Sequence, residues 1–141
     1  MSSLLPVYER DLTLVRGKGA RLFDSSGRSY LDFAAGIGVN GLGYGDAKVL
    51  AAIRRQAAAL IHASNLFHNE PASALAERLS AVSFPSRVFF CNSGAEACEA
   101  AMKFARKIGR ESGRSEFLCF EGAFHGRTFG ALSATWKEAY R

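Results

Sequence analysis

The sequence is poor in the residues that build metal, disulfide and redox sites. Its three cysteines are odd in number and contain no Cys-x-x-Cys pair, and its three histidines contain no His-Glu-x-x-His pattern. These absences argue against a disulfide framework and against the common zinc motifs. We therefore expect a reducing compartment and no bound metal. Cys91 and Cys98 are expected to be buried as small apolar residues, and His62 and His68 to be loop or packing residues.

Long apolar runs and blocks of like charge are also absent. The N-terminal residues have no basic region followed by an apolar segment, so we expect neither a signal peptide nor a membrane span. The net charge is +5, but lysine and arginine are spread along the chain and do not alternate with aromatic residues. We expect no nucleic-acid partner. The excess charge is a weak sign of anionic ligands, and a solvated surface that happens to be basic is the favoured interpretation.

Two nucleotide-binding motifs are missing. No Gly-Lys-Ser/Thr follows a glycine-rich loop, which excludes a Walker phosphate loop, and the turn at Gly94 does not match Gly-x-Gly-x-x-Gly.

The 141 residues are 48% hydrophobic and 22% charged. This length and balance are typical of a globular domain with a real core.

Periodicity in the first part of the chain predicts strands, a bending loop and a helix. Short strand-like runs between residues 12 and 33 are separated by glycine-containing turns. Five glycines between residues 36 and 45 predict a loop that either bends sharply or approaches another group closely. Asp46 can cap a helix whose apolar positions continue at helical spacing to Ile61.

The remainder of the chain predicts alternating helices and strands. Asn69 can cap a second helix with Pro71 in its first turn. We predict a strand over residues 87–91, a helix from residue 94 to about residue 108, and a strand over residues 116–120. This order favours an α/β domain with a parallel sheet. Because two strands do not form a stable sheet alone, we expect the front part of a larger protein, with a fold that is incomplete as given.

The predicted helix from residue 94 has an apolar and a charged side. Glu99 and Lys103 have the spacing of a favourable ion pair. The expected buried stripe comprises Ala95, Cys98, Ala101, Met102, Ala105 and Ile108.

A small-residue turn opens this helix. Ser93 and Glu96 stand in the Ser-x-x-Glu relation of a capping box, and Gly94 and Ala95 place almost no side chain over the first turn. Backbone N–H groups are therefore free at the positive end of the helix dipole, where a phosphate can bind. An ordinary capped helix explains the turn equally well.

A second motif follows the second predicted strand. Residues 122–128 read Gly-Ala-Phe-His-Gly-Arg-Thr. Ligands of open α/β sheets bind at the carboxyl ends of strands, where Phe124 could stack on a heteroaromatic ring and Arg127 could hold a carboxylate. Phe124 could equally be a core aromatic and Arg127 a surface charge. For His125, hydrogen bonding to backbone or solvent is favoured over catalysis.

The two motifs strongly resemble those of the class III pyridoxal-phosphate aminotransferases, particularly the acetylornithine aminotransferase branch. The segments that carry the resemblance are residues 90–97 and 122–128, with further likeness in residues 15–19, 30–33, 36–40 and 64–71. The resemblance implies a fold-type I transferase of the α/β class. Residues 1–45 would belong to its small domain, and residues 46–141 would form the first part of its large, parallel-sheet, cofactor-binding domain.

The resemblance also implies pyridoxal 5′-phosphate as cofactor. Ser93, Gly94 and Ala95 would hold its phosphate, Phe124 would stack on its ring, and Arg127 would bind the substrate carboxylate. The implied reaction passes the distal amino group of N2-acetylornithine, or a similar N-acyl diamino acid, to 2-oxoglutarate in arginine biosynthesis. Its products would be glutamate and an N-acyl semialdehyde, and we expect a cytoplasmic homodimer.

The resemblance places the Schiff-base lysine and the aspartate that pairs with the pyridine nitrogen downstream, so no catalytic residue is assigned. Lys103 and Lys107 lie on a helix face and do not take the lysine's role by default. The 141-residue chain alone is therefore predicted to be inactive. Residues 43–47 read Gly-Tyr-Gly-Asp-Ala, where relatives usually carry Gly-His-x-His-Pro.

Several alternatives stay open. The substrate could instead be ornithine, succinylornithine, 4-aminobutyrate or a semialdehyde of the lysine pathway, since all of these need a carboxylate clamp. A non-catalytic phosphate-binding module is an alternative of another class. A nucleic-acid binder has only the +5 charge in its favour.

Overall fold

The computed structural model describes residues 3–5, 7–9 and 11–140. Residues 1, 2, 6, 10 and 141 lie outside the described residues, so the expected absence of an N-terminal signal stays an expectation. The chain divides into two compact units, the first ending at Phe67 and the second beginning at His68. No helix in the described residues is both long and apolar enough to cross a membrane.

The first unit begins with a three-stranded antiparallel sheet, as the strand-like runs predict. Strands β1 (Leu14–Lys18), β2 (Arg21–Asp24) and β3 (Ser29–Leu31) lie side by side in chain order. Lys18 faces Arg21, so two residues connect β1 to β2. The first of these is Gly19, whose φ of +56° suits a residue without a Cβ.

Asp24 organises the turn between β2 and β3. Its buried carboxylate accepts hydrogen bonds from the backbone N–H and hydroxyl of Ser26, from the backbone N–H and Nε of Arg28, and from the Tyr30 hydroxyl. The Ser26 hydroxyl, with the Tyr30 and Arg28 donors, holds the pKa of Asp24 far below its ordinary value. The predicted turn is therefore confirmed, and an ionised carboxylate holds it together.

The glycine-rich loop returns to the sheet and leads into α1 (Ala47–Ala59). Gly19 and Tyr44 exchange two backbone hydrogen bonds of 2.8 Å, and the Tyr44 hydroxyl donates to Asp32. Asp46 caps the helix by accepting from the N–H groups of residues 48 and 49. The helix ends at Ala59, whereas the apolar spacing predicts that it continues to Ile61, so the predicted end is two residues too late.

The second unit is helical. Asn69 caps α2 (Glu70–Val82) through a 3.0 Å bond from the Ala72 N–H, with a proline in the first turn as predicted. Helix α3 (Gly94–Gly109) and the short α4 (Phe129–Ser133) follow, and single 3₁₀ turns occur at Arg110–Ser112 and Glu138–Tyr140. These helices carry the candidate site.

Two predictions for this unit are wrong. Residues 87–91 and 116–120 form no strand in the described part of the chain, because a parallel strand takes its hydrogen bonds from neighbouring strands and none pairs with them here. The expected buried stripe of α3 is only half-buried at Ala95, Cys98 and Met102. Its other members, Ala101, Ala105 and Ile108, are exposed.

Apolar side chains of the chain are largely uncovered. Among the described residues, only Ala131 and Ala134 are buried apolar residues, whereas Leu118 and Phe120 are almost fully exposed. Exposure of this kind is unusual for a self-contained soluble domain. The burial pattern agrees with the expectation of an incomplete fold.

Candidate active site

The first motif forms a capped helix start. The Ser93 hydroxyl accepts from the Glu96 N–H at 3.2 Å, and the Glu96 carboxylate accepts from the Asn92 N–H at 2.6 Å. The side-chain amide and backbone N–H of Asn92 lower the pKa of Glu96. The predicted capping box is thus present, except that the returning bond from Glu96 reaches the residue before the cap.

The backbone donors of Gly94 and Ala95 are left over by this arrangement. The Glu96 N–H binds the cap hydroxyl and the Ala97 N–H binds the cap carbonyl, whereas these two N–H groups have no bonding partner in the described part of the chain. A Cβ built on Gly94 would meet no atom within 4 Å. The helix start is therefore open, and it offers two donors at the positive end of the dipole.

The second motif packs directly on this helix start. Gly126 is buried with φ +134°, and a Cβ there would lie 2.7 Å from the Ala95 Cβ and 3.0 Å from the Ala131 Cβ. From the sequence alone, this glycine has no assigned role. In the structure, its missing side chain lets the loop touch α3.

The two motifs line one open cavity of about 560 Å³. Its lining residues are Gly94, Ala95, Cys98, Phe124, His125, Gly126, Arg127 and Thr128. Four of the five predicted site residues are among them, and the fifth, Ser93, caps the helix at its edge. The volume lies within the range that small-molecule sites occupy.

Two lining residues of the cavity, Phe124 and Arg127, contact the ring of Tyr140. The rings of Phe124 and Tyr140 meet edge to face with centroids 6.2 Å apart. The Arg127 guanidinium carbon lies 6.0 Å from the first centroid and 5.7 Å from the second. Phe124 is 59% exposed, so its ring is available for stacking and is not a core aromatic within this unit.

His125 is fixed by two hydrogen bonds to the segment after α4. The backbone N–H of His125 donates to the Thr135 hydroxyl at 3.0 Å, and the ring Nδ1 lies 2.9 Å from the Ala134 carbonyl oxygen. A carbonyl can only accept, so Nδ1 carries a proton and donates. The sequence interpretation of His125 as a residue bound to backbone agrees with this geometry.

Thr135 and Glu99 are structural parts of the site that the sequence does not reveal. Thr135 is fully buried, and its hydroxyl contacts the carbonyl oxygens of Gly126 and Ala131 at 3.0 and 3.1 Å. The Glu99 carboxylate accepts from the Thr128 hydroxyl at 2.5 Å and from the Ala131 N–H at 3.0 Å. The predicted ion pair of Glu99 with Lys103 is not among the ion pairs of the described residues. The two hydrogen bonds of Glu99 span 29 and 32 residues, so they leave no local sequence signal.

The cysteines correct one expectation and the histidines meet another. All three thiols are free, but Cys91 is exposed and Cys98 is half-buried at the cavity wall, so neither is a buried apolar residue in this unit. His62 and His68 are exposed loop residues. No group of three metal-binding side chains occurs within the described ranges.

Comparison with known proteins identifies the family. The model of the class-III aminotransferases matches residues 6–141. The mitochondrial acetylornithine aminotransferase of Alnus glutinosa is 51% identical over 145 aligned residues, which cover 98% of this chain and 32% of the relative. The chain belongs to the class-III aminotransferase family, and the predicted family is confirmed.

Solved structures confirm the fold class. An N-acetylornithine aminotransferase from Stenotrophomonas maltophilia superposes with a TM-score of 0.76 at 48% identity, over 84% of this chain and 34% of the other. An amine transaminase of an uncultivated Pseudomonas species, solved in its PLP-bound form, gives 0.84 at 31% identity over 100% and 34%. The chain thus spans about a third of its relatives' length and is a partial piece of their α/β fold.

Proposed function

We propose that this chain supplies part of the active site of a pyridoxal-phosphate-dependent aminotransferase acting on N2-acetylornithine or a similar N-acyl diamino acid. The distal amino group would pass to 2-oxoglutarate, giving glutamate and an N-acyl semialdehyde in arginine biosynthesis. The observation that carries the proposal is the single cavity lined by both motifs. Two relatives that bear the acetylornithine aminotransferase name, at 51% and 48% identity, support this choice of substrate.

The start of α3 fits the phosphate of the cofactor. Gly94 and Ala95 present backbone N–H donors, and the open space beside Gly94 leaves room for a phosphate oxygen shell. The Ser93 hydroxyl accepts from the backbone N–H of Glu96 and keeps its own proton available for an anion. These three residues would hold the phosphate.

The other side of the cavity fits the ring and the substrate. Phe124 is exposed and lines the cavity, so its ring would stack on the pyridine, and Arg127 would pair its planar guanidinium with the substrate carboxylate. The bound cofactor supplies an electron sink for the carbon that loses its proton. The residues of this chain bind and orient the two partners.

The cavity lining contains no lysine or aspartate. Lys103 and Lys107 are exposed on α3, outside that lining. We propose that the lysine that holds the cofactor and the aspartate beside its ring nitrogen come from the remainder of the protein. Covalent attachment and charge pairing at the ring would then both need that remainder.

We further propose a cytoplasmic homodimer, by analogy with the family. Residues 1–45 would belong to the small domain and residues 46–141 to the large domain of the whole protein. The compact units of this chain divide elsewhere, after Phe67. The exposed apolar side chains described above leave ample surface for the rest of such an assembly.

A panel of amino donors tests the proposed reaction. The full-length protein, loaded with pyridoxal phosphate and supplied with 2-oxoglutarate, should turn over N2-acetylornithine with the highest kcat/KM. Ornithine, N2-succinylornithine, 4-aminobutyrate and lysine-pathway donors are the competitors. Preference for one of these would reassign the substrate, whereas cofactor binding without any turnover would favour a non-catalytic module.

A further inference from the structure

The side chain of the residue at the N-cap position of helix α4 does not cap the helix. Thr128 precedes the helix, but its side chain makes no hydrogen bond to the first-turn N–H groups. Its hydroxyl instead donates to Glu99 on α3. The N–H groups of a first helical turn can also bond to an acceptor that another element supplies.

Glu99 serves as that acceptor from a different helix. One carboxylate oxygen, Oε1, accepts from both the Thr128 hydroxyl and the Ala131 N–H. The Thr128 hydroxyl and the backbone N–H groups of Ala131 and Gly130 lower the pKa of Glu99, so the group is ionised at neutral pH. A negative charge at the start of a helix is favourable. We call these contacts the Glu99 bridge.

The neighbouring glycine shows that the bridge is closely fitted. A Cβ on Gly130 would come within 3.0 Å of both Cδ and Oε1 of Glu99. The carboxylate thus occupies the space that a side chain would take. Any larger residue at this position would displace it.

The bridge joins the two halves of the candidate site. Glu99 lies on the helix whose start offers the phosphate donors, and Thr128 directly follows Arg127. On the other side of Arg127, the Gly126 carbonyl is held by Thr135. The backbone at Arg127 is therefore fixed at both neighbours, one of them through Glu99.

We propose that Glu99 is a positioning residue that sets the place of Arg127 relative to the cofactor phosphate. Glu99 itself does not line the cavity, so it acts through Thr128 and does not touch the ligand. The proposal rests on the function proposed above, in which Arg127 binds the donor carboxylate. Loss of the bridge should weaken carboxylate recognition while leaving the phosphate donors of α3 in place.

The test compares two donors that differ only in that carboxylate. N2-acetylornithine and N-acetylputrescine carry the same acyl group and the same distal amine, and the second lacks the carboxylate. With full-length holoenzyme, the half-reaction of each donor is followed by cofactor absorbance. Glu99→Ala should raise KM for the first donor about tenfold or more, because small misplacement of a clamp is costly. KM for the second donor, kcat for either and the Kd of pyridoxal phosphate should stay within about twofold.

Conservative variants separate positioning from general damage. Glu99→Gln keeps an Oε1 atom that can accept from the Thr128 hydroxyl and the Ala131 N–H. Its KM for N2-acetylornithine should therefore stay within about threefold of wild type, whereas the shorter Glu99→Asp should not preserve KM. This pair also decides the matter if the alanine variant fails to fold. Glu77→Ala, at an exposed glutamate inside α2, is the matched control and should change nothing.

Each contrary result has a distinct meaning. Equal losses for both donors, or a parallel loss of cofactor affinity, would make Glu99 a purely structural residue. Unchanged KM in Glu99→Ala would overturn the proposal while the clamp at Arg127 stands. If wild type does not discriminate between the two donors, the proposed clamp fails, and the role of Glu99 fails with it.

Discussion

Gly126 gives the sharpest test of how the site is packed. It is buried, it has φ +134°, and its absent side chain brings the second motif against the start of α3. In Gly126→Ala the new Cβ would lie 2.7 Å from the Ala95 Cβ, which is closer than such atoms approach. The substitution therefore adds two separate penalties.

Both penalties can be sized. An unfavourable backbone conformation costs about 1–3 kcal/mol, and overpacking of a well-packed contact costs about 1–3 kcal/mol more. The sum of about 2–6 kcal/mol is a large part of the 5–15 kcal/mol of stability that is typical of a domain. We expect Gly126→Ala to lower the denaturant midpoint strongly and to weaken pyridoxal phosphate binding, because Ala95 carries one of the phosphate donors.

Gly122→Ala is the matched control. Gly122 also has positive φ, +77°, but a Cβ there would meet no atom within 4 Å. It should suffer only the backbone penalty of roughly 1–2 kcal/mol. The measurement is urea unfolding of the cofactor-free, full-length protein for wild type and both variants. Equal losses in the two variants would refute the close contact between Gly126 and Ala95.

Three further predictions concern the start of α3, the turn at Asp24 and the isolated chain. Gly94→Ala should leave the apoprotein about as stable as wild type, since a Cβ at this first helical residue would meet no atom within 4 Å. Its methyl group, next to the proposed phosphate, should raise the Kd of pyridoxal phosphate by equilibrium titration, and unchanged affinity would move the phosphate elsewhere. Asp24→Asn should destabilise the full-length protein at pH 7, because the amide nitrogen cannot accept from Arg28 or Tyr30. The folded pKa of Asp24 is depressed, so its contribution is complete above the ordinary value of 3.8 and is lost as pH falls toward the folded pKa. Unfolding midpoints of the two proteins should therefore converge in acid, and a constant difference would contradict the bonds to the carboxylate. Finally, the isolated 141-residue chain with added cofactor should show no transamination, and turnover above buffer would overturn the assignment of the lysine to the remainder of the protein.

Local chemistry is what the sequence predicts well. The caps Asp46, Asn69 and Ser93 each bind N–H groups two or three residues away, so the acceptor and its donors are neighbours in the chain. The turn at Asp24 has the same character. These features need no knowledge of the rest of the molecule, and the structure contains all of them.

Features that depend on distant partners are predicted poorly. The apolar runs at residues 87–91 and 116–120 have strand-like composition, but a strand needs neighbours that these residues do not supply to each other. Ile108 has the right spacing for the buried side of α3 and is 76% exposed, because burial depends on a covering element and not on spacing. Both errors have one cause, namely that the chain holds a third of the fold.

The site itself divides along the same line. The residues that would touch ligands, such as Gly94 and Arg127, lie in recognisable motifs because their chemistry is local. Glu99 joins the two motifs through bonds to residues 29 and 32 positions away, and Thr135 holds the second motif from a position outside it. Neither residue lies in a recognisable motif. A variant that keeps both motifs intact can therefore still lose the geometry between them. It follows that substitutions at Glu99 should change donor recognition although every motif residue remains, which sequence comparison restricted to the motifs would not anticipate.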